Sequence, residues 1–237
     1  KKTDLFRNIA SLPSALPGQY FVGNSQETAG ACLGWLRDNI LFGDDELGGG
    51  PAPRDFFERF DRLASDAPPG SDKLLFTPWL IGERCPVADE TVRGAFLNLS
   101  LSTTRAHIAR ATLEGVAYNT RWVLGAVEKF GGRSLESIRV VGGGGRSELW
   151  CQIHADVLGR TVSQVRAPLE VNALGAALVG SLALGAITEQ EIPDRVEVTR
   201  TYEPRGVYRD RYDELFDTFL AHYKASKGLF RRLNPVH

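Results

Sequence analysis

The chain has no methionine, only three cysteines and four histidines in 237 residues, and no apolar run of about 18 residues that could span a membrane. Cys32, Cys85 and Cys151 are odd in number, widely separated and without metal-ligand spacing. They form neither a disulfide framework nor a metal site, and read as buried thiols in a reducing, cytoplasmic compartment. His107, His154, His222 and His237 are equally scattered. His107, alone in a helical stretch, reads as structural or solvent-edge rather than catalytic. A net charge of -1 leaves no basic footprint for nucleic acid. No signal peptide is visible, and a chain that opens on Lys1 and lacks Met is not expected to start at its native first residue.

What is present is ordinary for a water-soluble protein that handles small molecules. With 43% hydrophobic and 24% charged residues, the chain can bury one substantial core or two small ones. Residues 1–24 read as irregular or weakly extended, punctuated by Pro13, Pro17 and Gly18, and a helix is expected over 26–41. After a loop over 43–53, Pro53 stands where a helix can begin, and Asp55 and Glu58 favour its positive end. Phe56, Phe57, Phe60 and Leu63 give that helix an apolar stripe, and Pro68-Pro69-Gly70 ends it. A short strand over 73–81 leads into a polar loop over 82–86. A long helix over 103–130 follows, marked by Ala109, Leu113, Val116, Thr120, Val123, Val127 and Phe130, with Ser102 or Thr103 as N-cap and Gly131 at its far end.

The second half alternates a buried strand over 138–141, a helix over 147–158 closed by Gly159, a strand over 161–165 and a helix over 170–184. Small residues in that last helix (Ala173, Gly175, Ala176, Ala177, Gly180) suit close packing. A terminal helix over 208–233 carries Tyr212, Leu215, Phe219 and Tyr223 on one side. No repeat or long linker divides the chain, and alternating strands and helices place it in the α/β class.

Four consecutive glycines, Gly142 to Gly145, fall between the 138–141 strand and the helix that begins at Ser147. Side-chain-free backbone running into a helix N-terminus lets a phosphate or nucleotide reach main-chain N–H groups at the positive end of the helix dipole. A dinucleotide fingerprint needs a glycine where Ser147 stands, and a P-loop needs a Gly-Lys-Ser/Thr ending that the chain lacks. A glycine turn of another kind remains.

Three further segments carry a family resemblance: Leu74-Leu75-Phe76-Thr77-Pro78-Trp79-Leu80 with Gly82-Glu83-Arg84, then Arg93-Gly94-Ala95-Phe96-Leu97-Asn98-Leu99-Ser100, then Thr104-Arg105-Ala106-His107 through Leu113-Glu114-Gly115-Val116-Ala117. Together they resemble the second signature region of the FGGY carbohydrate kinases, and most of all its xylulokinase-like members. Residues 141–159, with Trp150, Gln152 and Ala155-Asp156, resemble the adenosine segment of that family, and 170–177 the helix after it. The resemblance implies an actin-like (ribonuclease-H-like) ATPase fold, a mixed sheet flanked by helices, in which ATP and sugar meet between two domains. It implies that residues 1–237 are the C-terminal nucleotide-binding domain, incomplete at its N-terminus. The N-terminal domain, with its phosphate loop, most sugar contacts and catalytic aspartate, and a Gly-Thr/Ser-Ser hairpin would precede it.

Carried over by position, the resemblance sets Gly143 and Gly144 against the α-phosphate and ribose, with Gly145 and Ser147 at the turn. Glu148 stands where several relatives carry an Asn near the adenine. A carboxylate there accepts from the amino group but cannot donate to a ring nitrogen. Gly30 matches a glycine that lets the nucleotide lie against a helix, Gly34 stands where some relatives have Gln, and Asn98 replaces a frequent glycine. No catalytic residue and no metal ligand is assigned within the chain; Glu83 and Arg84 either face the cleft or form a structural ion pair, and Asp156 reads as ordering its own helix. The implied cofactors are ATP and Mg²⁺. The implied partners are a sugar, D-xylulose first, and the N-terminal domain of the same protein, with no nucleic acid or membrane and a homodimer left open. The chain alone is expected to be inactive. Two other readings compete: a non-catalytic ATP-binding sensor or regulator of the same fold, and a Rossmann-type oxidoreductase, which Ser147 disfavours.

Overall fold

The computed structural model describes residues 3–48 and 50–235; Lys1 and His237 lie outside the described residues. Its axis is α3 (Arg105–Gly131), 27 residues long. Thr104 is extended and shares a capping box with His107, whose Nδ1 accepts the Thr104 N–H at 3.2 Å while Nε2 meets Asp72 Oδ2 at 3.0 Å. His107 is therefore a structural residue that starts a helix. The cap falls later than Ser102 or Thr103 because the Thr103 hydroxyl is engaged in the preceding turn, accepting the Ser100 N–H at 3.0 Å. At the far end Gly132, not Gly131, takes the left-handed conformation (φ 69).

Around the N-terminal half of α3 pack α2 (Phe56–Ser65), β4 (Leu75–Thr77), α4 (Glu148–Leu158) and α6 (Arg209–Leu233). Phe60, Phe76, Trp79, Leu113, Tyr118, Ile153, Tyr212 and Phe219 form the centre of this core. Burial of so many aromatic rings is its main driving force. Gly115 brings α3 against the backbone of β4: a Cβ there would overlap the Phe76 carbonyl oxygen and stand 2.9 Å from its carbon. One turn earlier, Arg110 and Glu114 form a buried ion pair at 2.8 Å.

Three small sheets surround this core. Residues 3–23, expected to be irregular or weakly extended, form an antiparallel sheet of β1 (Thr3–Asp4), β2 (Ile9–Pro13) and β3 (Tyr20–Gly23), with Gly18 (φ 75) in the β2–β3 turn. Its side chains are mostly exposed, so the hydrophobic alternation that marks a half-buried strand is missing from the sequence. The 73–81 strand shrinks to β4, paired with β5 (Ala95–Leu97), because Lys73 has positive φ (67) and Pro78 has no N–H for the ladder. The third sheet is mixed: β6 (Ser137–Val140) runs parallel to β7 (Thr161–Val165), and β8 (Val198–Tyr202) runs antiparallel to it. Here β6 is an edge strand with Ser137 and Arg139 exposed, not the buried strand that the sequence suggests. Cys151 and Ala155 of α4 pack on Val162 and Tyr202 of this sheet.

Two helices also depart from expectation. α1 (Gly30–Leu36), continued by a π-helical turn over Arg37–Leu41, begins after the predicted residue 26 because the Glu27 N–H is bonded to Glu83 Oε1 at 3.1 Å. α5 (Val171–Ala183) matches its predicted span, yet none of its side chains is buried, and Cβ atoms at Gly175 and Gly180 would meet nothing within 4 Å. The close packing expected of its small residues does not occur among the described residues. No helix of the described residues is long and apolar enough to cross a membrane.

Candidate functional site

At the end of β6 the chain turns through Gly142, whose φ 78 and ψ −167 suit only glycine. Residues Gly143–Arg146 make one 3-10 turn, closed by the Gly145 N–H to Gly142 O at 3.1 Å and the Ser147 N–H to Gly144 O at 3.2 Å. Ser147 is the N-cap of α4, its hydroxyl accepting the Trp150 N–H at 2.9 Å. The glycine run thus ends at the positive end of an 11-residue helix.

A cavity of about 460 Å³ opens there, within the usual range for small-molecule sites. Gly143, Gly144, Ser147 and Trp150 form one wall, Gly30 and Leu33 of α1 a second, and Arg54, Phe57, Glu58 and Asp61 a third. Gly30, Gly143, Gly144 and Ser147, separate in sequence, therefore meet in one place. Cβ atoms at Gly30 and Gly143 would meet nothing within 4 Å, whereas at Gly144 one would stand 3.0 Å from the Trp150 ring. Gly145 is buried behind the turn, where a Cβ would come within 3.0 Å of both Pro168 and the Val140 carbonyl; its role is packing. Glu148 is exposed and lies outside the cavity walls, bonded to Arg200 at 2.5 Å. Gly34 and Asn98 lie outside those walls as well.

The α2 wall is the part sequence reasoning missed. Phe56 and Phe60 are buried, but Phe57, counted with them as one stripe, is 52% exposed and faces the cavity. The signal was available: residues 54, 57, 58 and 61 recur at helical spacing, off the core stripe. Burial is the main cause that raises the Asp61 carboxyl above its ordinary pKa, partly offset by a hydrogen bond from the Ser147 hydroxyl.

Other candidates proved structural. Glu83 is buried and accepts N–H groups of Glu27, Arg84 and Cys85, with Asn119 Nδ2 at 2.6 Å; burial raises its pKa. Arg84 pairs with Glu27 at 2.7 Å. Asp156 holds its helix neighbour Gln152 at 3.0 Å and Arg205 at 2.6 Å. Among the described residues, no group of His, Cys, Asp and Glu is arranged to hold a metal. A larger groove of about 800 Å³ between α3 and α6 contains none of the predicted residues, and its Arg121 is bonded to Asp213 at 2.6 Å.

The profile of the FGGY family of carbohydrate kinases, C-terminal domain, matches residues 1–184. The chain belongs to this family. It is 29% identical to the xylulose kinase of Staphylococcus epidermidis over 224 residues, 94% of this chain and 42% of that protein. The gluconokinase of Bacillus subtilis is 32% identical over 205 residues, 85% of the chain and 39% of the relative. The crystal structure of xylulose kinase from Rhodospirillum rubrum superposes with a TM-score of 0.81 at 29% identity, over 97% of this chain and 44% of that one. The chain thus spans less than half the length of the relatives it matches, and its fold is the actin-like ATPase fold of these kinases. FGGY kinases are ATP-dependent phosphotransferases, and a Rossmann-type oxidoreductase is set aside.

Proposed function

We propose that this FGGY chain is the nucleotide-binding part of a cytoplasmic sugar kinase that transfers the γ-phosphoryl group of ATP to a sugar hydroxyl, with D-xylulose as substrate. The observation that carries the reading is the convergence of Gly30, Gly143 and Gly144 on one cavity at the positive end of α4. Three residues without side chains leave room for a ribose and phosphates to approach main chain, and the helix dipole favours their charge. Ser147 sets that helix start in place.

Phosphoryl transfer asks a protein mainly for positioning and charge stabilisation. The residues described supply the first of these for the nucleotide. No group of three or more His, Cys, Asp or Glu gathers to hold a metal ion among the described residues, and Mg²⁺ in such kinases would be held largely through the phosphates of the nucleotide. The sugar contacts and the carboxylate that accepts the hydroxyl proton are assigned to a preceding domain of a longer protein, as the lengths of the relatives suggest.

Gly30→Val and Gly143→Val should each weaken ATP binding at least about ten-fold without loss of fold, since the new side chain enters the cavity and nothing else. Titration calorimetry with thermal melts measures both quantities. Gly144→Val is the poorer test, because it also displaces Trp150. Unchanged affinity in both variants would remove the site.

Substrate choice has its own readout. In a panel of pentuloses, hexuloses, gluconate and polyols, the full-length enzyme should give its highest kcat/KM on D-xylulose. A site that hydrogen-bonds each hydroxyl penalises analogues that leave its groups unpaired. Preference for gluconate or glycerol overturns the substrate and leaves the kinase standing.

A further inference from the structure

The α2 wall faces the glycines across the cavity and carries chemistry that phosphate binding does not need. Phe57 stays 52% exposed even with the Arg37 guanidinium 5.8 Å from its ring centroid, while its neighbours Phe56 and Phe60 are 5% and 2% exposed. An aromatic ring held half-open beside a cavity is a stacking surface for a base. One turn on, the half-buried Asp61 carboxylate lines the same cavity, as does Ser147 at the start of α4. An ionised carboxylate only accepts, so it favours a ligand that offers N–H and opposes one that offers a carbonyl oxygen. Burial raises the pKa of this carboxyl, so a donor reaching it from the ligand meets an acceptor poorly served by water. Glu148, to which the family resemblance points for the base, is turned to Arg200 outside the cavity.

We propose that α2 reads the base: Phe57 stacks on a purine ring, and Asp61 accepts a hydrogen bond from its exocyclic amino group. This rests on the nucleotide reading above and adds to it the side chains that choose among nucleotides. Adenine and guanine both carry such an amino group; hypoxanthine does not.

Titration of ADP, GDP and IDP into the wild-type protein and into Asp61→Asn and Phe57→Ala separates the possibilities. IDP should bind about ten-fold or more weaker than ADP, the nucleotide that the ATP reading requires, and a preference for GDP over ADP would overturn that reading. Asp61→Asn is isosteric and should bring the IDP ratio toward one. Phe57→Ala, at an exposed position, should weaken all three about ten-fold and leave the ratio unchanged. Equal affinity of the wild type for all three, or an IDP ratio untouched by Asp61→Asn in a variant with wild-type melting, overturns the assignment while the nucleotide site survives. Failure of all three to bind removes both.

Discussion

Glu114→Ala is expected to destabilise the protein by about 3–5 kcal/mol, because it strands a buried cation. Glu114 is 1% exposed and Arg110 3%. The Glu114 carboxylate accepts from Arg110 Nε at 2.8 Å, the Gly70 N–H at 2.8 Å, the Ser71 hydroxyl at 2.8 Å and the Tyr212 hydroxyl at 2.9 Å. Through these bonds one side chain of α3 ties down the turn after α2 and the start of α6. Burial pushes the Tyr212 hydroxyl well above its ordinary pKa, so it stays a donor at any ordinary pH. With the carboxylate gone, Arg110 keeps only the Ala67 carbonyl at 3.1 Å and a long contact to the Tyr212 oxygen at 3.4 Å. Thermal melts should show a fall of about 10 °C. The double variant Arg110→Met with Glu114→Leu should recover most of that loss, since the stranded charge rather than the missing bond dominates. A double variant no more stable than Glu114→Ala would mean that the four hydrogen bonds, not the charge, carry the effect.

Two glycines of α3 should respond to substitution with opposite signs. Gly115→Val should cost about 3 kcal/mol or more: the side chain would meet the Phe76 backbone, which cannot rotate away, and α3 would have to lift from β4. Gly125→Ala, where a Cβ meets nothing within 4 Å, should instead stabilise by about 0.5–1 kcal/mol through helix propensity. Denaturant titration of both variants gives the sign directly. A Gly115→Val protein as stable as wild type would mean that the α3–β4 approach is looser than described.

Legibility followed signal strength. α3, α4 and α6 were readable because long 3.6-residue periodicity marks them independently of context, and Gly159 marks the end of α4; the end of α3 was read at Gly131, one residue before the left-handed Gly132. β1 to β3 were legible only as an irregular or weakly extended stretch, since their exposed faces leave no alternation. The late start of α1 was set by a tertiary bond that local pattern does not contain, the Glu27 N–H donating to Glu83 Oε1, whereas β4 is cut short by the positive φ of Lys73 and by Pro78. At the candidate site, the glycine turn declared itself by composition and Gly30 through family resemblance. Phe57 and Asp61 were hidden in a helix whose apolar stripe was read as wholly core, though Asp61 sits one turn from Phe57 on the same face, toward the cavity.

The three cysteines are each 0% exposed, and burial pushes every thiol up to about 11. At neutral pH only about one in ten thousand of each is thiolate, the form that oxidants and alkylating agents attack. In the folded state these sulfurs are nearly inert. Their rate of alkylation is thus a clock for opening of the structure around α1, the 82–86 loop and α4, and one that needs no introduced label.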